Sequence, residues 1–140
     1  MRVKEIKKTT QKDLTCALNS FGKVQRFLIE NQCRDLDRAV VLVDDTHGNT
    51  GLISMAWVRM RGRWSAERLK DLDNKSGSGD ISTPGSTLLR ERGVEFTGRH
   101  YAGRRKGEQF TRAEAVPLTG SMNPHLLDAV ANVASYLPSP

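Results

Sequence analysis

Apolar residues recur at steps of three and four in the first quarter of the chain, which predicts a helix from about Gln11 to Cys33. The apolar stripe consists of Leu14, Leu18, Phe21, Val24 and Leu28. Thr10 and Asp13 favour a helix start, because a hydroxyl can accept from an early backbone N–H and a carboxylate suits the positive helix end. We expect this helix to present one apolar face to the core.

The pattern then changes to that of extended chain. Arg38–Asp44 is rich in β-branched residues, and Thr46–Thr50 is typical of a turn into a second apolar stretch, Leu52–Met60. Together these segments predict a β-hairpin. Arg59 and Arg61 fall on the same side of the second strand, so one of its faces becomes basic toward its end.

A second hairpin is expected later in the chain. Leu88–Gly98 and Gln109–Leu118 have the apolar content of strands, and Arg99–Glu108 would form the tip between them. This tip would carry four cations, a histidine and a tyrosine.

Two further helices and one loop complete the predicted order. Ser65–Leu72 favours a short helix capped by Ser65, and Pro124–Leu137 favours a helix because Asn123 is a good cap and Pro124 suits the first turn. Asp73–Thr87 is rich in Gly and Ser, which predicts a mobile loop. The fold class expected is α+β: one domain over 1–140, with an antiparallel sheet of two hairpins packed on one face by the N-terminal and C-terminal helices.

The totals are consistent with that fold. The chain has 140 residues, 37% hydrophobic and 27% charged, with a mean hydropathy of −0.51, which is typical of a single globular domain. Its apolar runs are shorter than the roughly 18 to 20 residues needed to span a bilayer. Met1–Lys12 lacks the apolar segment of a signal peptide. We therefore expect a cytoplasmic protein with no membrane partner.

Cys16 and Cys33 lack the C-x-x-C spacing of zinc or redox motifs. Two reduced, partly buried thiols are expected, with a disulfide as the alternative.

Positive charge is concentrated in two stretches. Trp57–Lys70 and Arg90–Arg112 contain 12 of the 22 Lys and Arg but 4 of the 16 Asp and Glu, a net charge of +8 in a chain whose total is +6. Both tryptophans and several other aromatic residues lie among these cations. This pattern favours a surface that binds a polyanion.

The first functional hypothesis is therefore a DNA- or RNA-binding protein that contacts the phosphate backbone through the basic hairpin tip and the arginine-rich strand end. Its candidate contact residues are Arg59, Arg61, Arg63, Arg99, His100, Tyr101, Arg104, Arg105, Lys106 and Arg112. Trp64 is expected to be a core or rim aromatic rather than a stacking platform for bases.

Two other functions remain open. In a metal-independent ribonuclease, His100 would act as general acid or base with Glu95 as its partner, and nearby arginines would stabilise the phosphate in the transition state. In a protein-interaction module, the same basic face would bind an acidic protein partner.

No cofactor or metal site is expected. Asp44-Asp45-Thr46-His47 is the one cluster of carboxylates and histidine, but Asp-Asp before Gly-Asn is typical turn chemistry. The sequence also lacks phosphate-loop, dinucleotide and Ser-His-Asp patterns.

Overall fold

The structure is a computed structural model that describes residues 2–12, 15–75, 79–83 and 86–140. Along the chain the elements are β1 (Arg2–Lys12), α1 (Thr15–Leu18), β2 (Ser20–Phe21), α2 (Gly22–Glu30), β3 (Asp35–Asp44), β4 (Thr50–Arg59), α3 (Arg63–Asp73), β5 (Gly79–Ile81), α4 (Ser86–Glu91), β6 (Tyr101–Lys106), β7 (Gln109–Thr119) and α5 (Pro124–Ala134). Five strands form an antiparallel sheet in the order β1-β3-β4-β7-β6, and β2 pairs separately with β5. The predicted α+β class is confirmed.

The central hairpin of β3 and β4 is the one that the apolar pattern predicts. The two strands pair along their whole length. In the turn between them, Asp45 Oδ1 accepts hydrogen bonds from the backbone N–H groups of His47 at 2.7 Å and Asn49 at 3.2 Å. Gly48 adopts a φ of 84° there, a backbone conformation that glycine takes without steric cost. The carboxylate of Asp45 therefore holds the turn, as the turn interpretation requires.

Helices cover both faces of the sheet, whereas the sequence analysis expected cover on one face. Ile53, Met55 and Trp57 of β4 belong to the same apolar cluster as Leu127 and Ala131 of α5. The alternate residues of β4 belong to a cluster with α2 and α3, which contains Ala56, Val58, Leu28 and Leu69. We call these two sides the α5 face and the α3 face. Both faces of the sheet are covered because β4 is apolar at both odd and even positions, which is the pattern of a strand buried on both sides.

The predicted N-terminal helix is wrong in its first part. β1 extends to Lys12 as an edge strand beside β3, so Thr10 lies in a strand and does not start a helix. Asp13 and Leu14 lie outside the described residues. The Lys-rich composition of this segment gave no apolar alternation from which the strand could be predicted.

The remainder of that helix is interrupted. The strand β2, which pairs with β5, lies between α1 and α2 in the chain. Of these two helices, α2 keeps the predicted apolar stripe, with Val24 and Leu28 buried. Leu18 and Phe21, which the stripe places in the core, are 77% and 53% exposed. Strand pairing thus overrides the local helical periodicity.

Other boundaries differ more modestly. α3 begins at Arg63, with Gly62 rather than Ser65 at the cap position. The predicted loop Asp73–Thr87 contains the strand β5, and its residues 76–78 and 84–85 lie outside the described residues. The predicted strand Leu88–Gly98 instead overlaps the helix α4.

The C-terminal helix α5 follows the prediction closely. Asn123 Oδ1 accepts from the backbone N–H of His125 at 2.8 Å, which makes Asn123 the cap. Beyond the helix, the indole Nε1 of Trp57 donates to the carbonyl of Leu137 at 2.8 Å. This hydrogen bond ties the C-terminal segment to the α5 face.

Cys16 and Cys33 form a disulfide, so the expectation of two reduced thiols is wrong. Their Cα atoms are 6.2 Å apart, and both residues are buried in the cluster below α2. Disulfides persist mainly in oxidising compartments, whereas cytoplasmic thiols are usually kept reduced. The disulfide is therefore not what the expected cytoplasmic location would favour. Among the described residues, no helix is long and apolar enough to cross a membrane.

We expect loss of this disulfide to destabilise the fold. The bond closes a loop with a sequence separation of 17, and cross-links of that span contribute about 3 kcal/mol by restricting the unfolded chain. The double variant Cys16→Ala/Cys33→Ala should therefore lose about that much free energy of unfolding in urea titrations. Dithiothreitol should lower the stability of the wild type but not of the variant. Equal sensitivity of both proteins to the reductant would contradict this role.

Candidate nucleic-acid interface

The basic segment predicted as a hairpin tip is a strand. β6 pairs with β7 from Tyr101↔Glu114 to Lys106↔Gln109, and the tip consists of Gly107 and Glu108 alone. Gly107 has a φ of 60°, which a two-residue hairpin turn requires. The prediction of a tip at Arg99–Glu108 is therefore wrong, although Lys-Gly-Glu-Gln could have indicated the tight turn.

Alternation along β6 sends its two arginines to opposite faces of the sheet. On the α3 face, Arg105 Nε donates to Glu67 of α3. On the α5 face, Arg104 donates to Ser135 and Asn132 at 3.0 Å each, and its guanidinium lies 3.2 Å from the ring centroid of Tyr136. Both arginines thus attach the edge strand to flanking helices.

Arg112 is the largest of the described side chains that are less than 2% exposed. Its guanidinium donates to Glu114 at 2.9 Å and to Asp73 at 3.3 Å, and all three side chains are at most 1% exposed. Tyr101 also donates to Asp73, at 2.6 Å. We call these four residues the buried ion network. Arg112 and Tyr101 therefore serve the interior, not the accessible basic surface on which the sequence analysis placed them.

Two glycines contribute to this network in different ways. The backbone N–H of Gly98 donates to Glu114. A Cβ atom on Gly103 would lie 2.5 Å from the hydroxyl of Tyr101, so the missing side chain is what admits the phenol. Gly103 therefore has a packing role in this network.

His100 lies on the other side of the sheet, against α5. Its Nδ1 is 2.6 Å from Asp128 Oδ1, and the residue is 9% exposed. β6 separates it from Lys106 by six residues, or about 20 Å of extended chain. Glu95 is exposed, and no hydrogen bond among the described residues joins it to His100. Arg99 is the exposed cation nearest to His100 in the chain.

Four of the five remaining predicted cations, all except Arg99, meet at one end of the sheet. Arg59 and Lys106 are both register partners of Gln109, which places them two strand spacings, or about 10 Å, apart. Arg61 follows β4 and Arg63 begins α3. We call Arg59, Arg61, Arg63 and Lys106 the basic end. All four are exposed, and in the described part of the chain no carboxylate forms an ion pair with them.

A nearby cation shows the contrast. Arg34 lies before β3, with its backbone N–H bonded to the carbonyl of Arg59. Its guanidinium is 3.4 Å from Glu108, so this charge is partly compensated. Among the described residues, the four members of the basic end have no such carboxylate contact.

Trp64 adjoins the basic end and is 65% exposed. Its ring centroid is 6.5 Å from that of Phe27 on α2, with the planes tilted by 45°. The sequence analysis expected a core or rim aromatic, and the ring is in fact more exposed than either would be. Its position at the start of α3 places it directly after Arg63.

A cleft opens between the C-terminus of α2 and the N-terminus of α3. It has a volume of about 340 Å³ and is lined by Glu30, Asn31, Gln32, Arg61 and Ser65. The sequence analysis missed it, because these residues come from two segments that no local motif connects.

The turn carboxylates and histidines do not form a metal centre. The Asn49 side chain donates to Asp45 at 2.7 Å, and this hydrogen bond lowers the pKa of Asp45. Within the described ranges, no group of three or more His, Cys, Asp or Glu is placed to hold a metal ion.

No protein-family model, no curated protein and no solved structure matches this chain. The geometry of its own residues therefore carries the functional conclusion.

Two arginine substitutions should separate the buried ion network from the basic end. Arg112→Met leaves Asp73 and Glu114 buried without their cation, so we expect a loss of about 3 to 5 kcal/mol in free energy of unfolding. Arg59→Met removes an exposed charge and should change stability by about 0.5 kcal/mol or less. Urea unfolding of both variants measures the difference. Similar losses in the two would contradict the assignment.

The Arg105–Glu67 contact can be checked by titration. The hydrogen bond from Arg105 lowers the pKa of Glu67 below its usual value. Because the folded-state pKa is the lower one, the pair stabilises the fold above the unfolded-state pKa, and this stabilisation is lost as pH falls through the folded-state pKa. In NMR titrations, Arg105→Gln should raise the pKa of Glu67, while Arg68→Gln, an exposed neighbour on α3, should leave it in place.

Proposed function

We propose that this protein binds nucleic acid by holding backbone phosphates at the basic end. The observation that supports this most directly is the gathering of Arg59, Arg61, Arg63 and Lys106 at one end of the sheet, exposed and without an ion-pair partner among the described residues. Like charges held this close repel one another, and a phosphate chain relieves the repulsion while releasing its own counterions.

Seven of the ten candidate residues fall into two groups by their contacts. Arg99, His100 and Tyr101 belong to neither group, because they lie at the opposite end of β6 from Lys106. Arg104, Arg105 and Arg112 already donate to protein acceptors, so moving them to a ligand would cost those hydrogen bonds. The residues of the basic end would lose no such contact. Phosphate binding is therefore assigned to the basic end, and the edge strand β6 contributes Lys106.

The nuclease hypothesis receives less support. A general acid or base must reach the phosphodiester held by the arginines, but His100 is at the opposite end of β6 from Lys106 and is bonded to Asp128. We therefore propose that the protein binds nucleic acid without cleaving it.

Salt-dependent titration of paired variants tests it. Arg61→Ala/Arg63→Ala should weaken binding to labelled DNA and RNA, and should flatten the slope of log K against log salt by about 0.7 to 0.9 for each lost phosphate contact. Arg90→Ala/Arg92→Ala removes two exposed arginines from α4 and the loop that follows, with the same change in net charge. This control should leave both affinity and slope close to the wild type.

Three results would overturn the proposal. They are no binding to any probe, a slope near zero, or equal effects of the two double variants. If an acidic protein partner instead remained bound in the presence of excess nucleic acid, the basic end would belong to a protein interface.

A further inference from the structure

Packing within the fold does not account for the exposure of the Trp64 side chain. The chain has two tryptophans. Trp57 is 4% exposed and packs on the α5 face, whereas Trp64 is 65% exposed. Its one ring contact, with Phe27, is tilted and uses the edge of the cluster on the α3 face. A large aromatic surface is thus presented to solvent beside Arg63.

The adjoining cleft has polar walls suited to hydrogen bonding. Asn31 Nδ2 donates to the carbonyl of Phe27 at 3.2 Å, and this contact orients the side-chain amide. Gln32 adds a second amide, and Glu30 adds carboxylate acceptors. Amides and carboxylates of this kind recognise the donor and acceptor edges of nucleobases. The volume of about 340 Å³ is at the lower end of the usual range for small-molecule pockets, about 300 to 1,000 Å³.

Charge at the cleft indicates what else the ligand carries. Arg61 lines the cleft, and Arg63 is two residues away at the first position of α3. Ser65, which follows Trp64 in the chain, also lines the cleft. The aromatic surface and the exposed guanidinium groups come from residues 61–64, and the base-edge donors and acceptors come from residues 30–32 across the cleft. This combination matches a nucleotide unit of a single strand, in which the base is unstacked and the phosphate accessible.

We infer that Trp64 and the cleft bind one unpaired base of a single-stranded nucleic acid, while Arg61 and Arg63 hold the flanking phosphates. The inference rests on the proposed function and narrows its substrate class. A duplex would still contact the basic end through phosphates, but its stacked bases would not reach Trp64. The protein should therefore prefer single strands over duplexes of the same length.

Intrinsic fluorescence gives a direct measurement. We would titrate the wild type with single-stranded DNA, single-stranded RNA and duplex DNA of equal length, and record tryptophan emission together with anisotropy of the labelled probe. Because Trp57 is buried, stacking on Trp64 should quench the exposed fraction of the emission with single strands but not with the duplex.

Substitution then tests the role of the ring. Trp64→Ala should weaken single-strand binding about 5- to 150-fold, the loss expected for one stacked base, and should change duplex binding less than about 2-fold. Gln32→Ala should also weaken single-strand binding, by about 2- to 10-fold, if its amide bonds to the base. Phe21→Ala is the matched control. It removes an exposed aromatic at the far end of α2, and should leave binding unchanged.

The outcomes separate this inference from the proposed function. Salt-dependent binding with equal affinity for both forms and no quenching would overturn the base site and leave phosphate binding intact. Equal losses for Trp64→Ala on single strands and duplexes would also overturn it. Absence of binding to every probe would remove the proposed function itself. Circular dichroism of each variant would verify that the exposed substitutions leave the fold unchanged.

Discussion

The ion pair between Arg112 and its two buried carboxylates, Asp73 and Glu114, determines how the surrounding elements can be placed. Removing three charged groups from water costs several kcal/mol for each ion, and only close, well-oriented partners compensate for it. Those partners come from β7, the C-terminus of α3 and the loop before β6. The three segments must therefore meet at one point. The network thus adds directional contacts at this point to the apolar packing of the same elements.

The same constraint extends to the candidate site. α3 has 11 residues, or about 16 Å of helix. Asp73 ends the helix within the buried ion network, and Arg63 and Trp64 begin it at the surface. The ion network anchors one end of α3, and the buried Ala66 and Leu69 fix the direction of the helix, so its start is held in place as well. The position of the exposed ring relative to the cleft is thus set by an interaction that lies far from any ligand.

Part of the fold and of the candidate site could be predicted from the sequence, and part could not. The central hairpin and α5 were predictable, because apolar runs, turn residues and the Asn123 cap are local features. The break in the N-terminal helix was not, since it depends on pairing between β2 and β5, which lie far apart in the chain. The two stretches rich in Lys and Arg could be located from the sequence, but which of their arginines are exposed could not be predicted. That outcome depends on strand alternation in β6 and on carboxylates supplied by distant helices.

The two outer strands have a further consequence for how copies of the protein meet. Open strand edges can pair with one another and so initiate aggregation. Here β1 and β6 form the two edges, and their sequences contain Arg2, Lys4, Lys7, Lys8 and Lys12 on one side and Arg104, Arg105 and Lys106 on the other. Both edge strands have a net positive charge in their sequences, so an edge-to-edge approach brings like net charges together. Electrostatic repulsion therefore keeps the sheets of neighbouring molecules apart, and added salt weakens that protection.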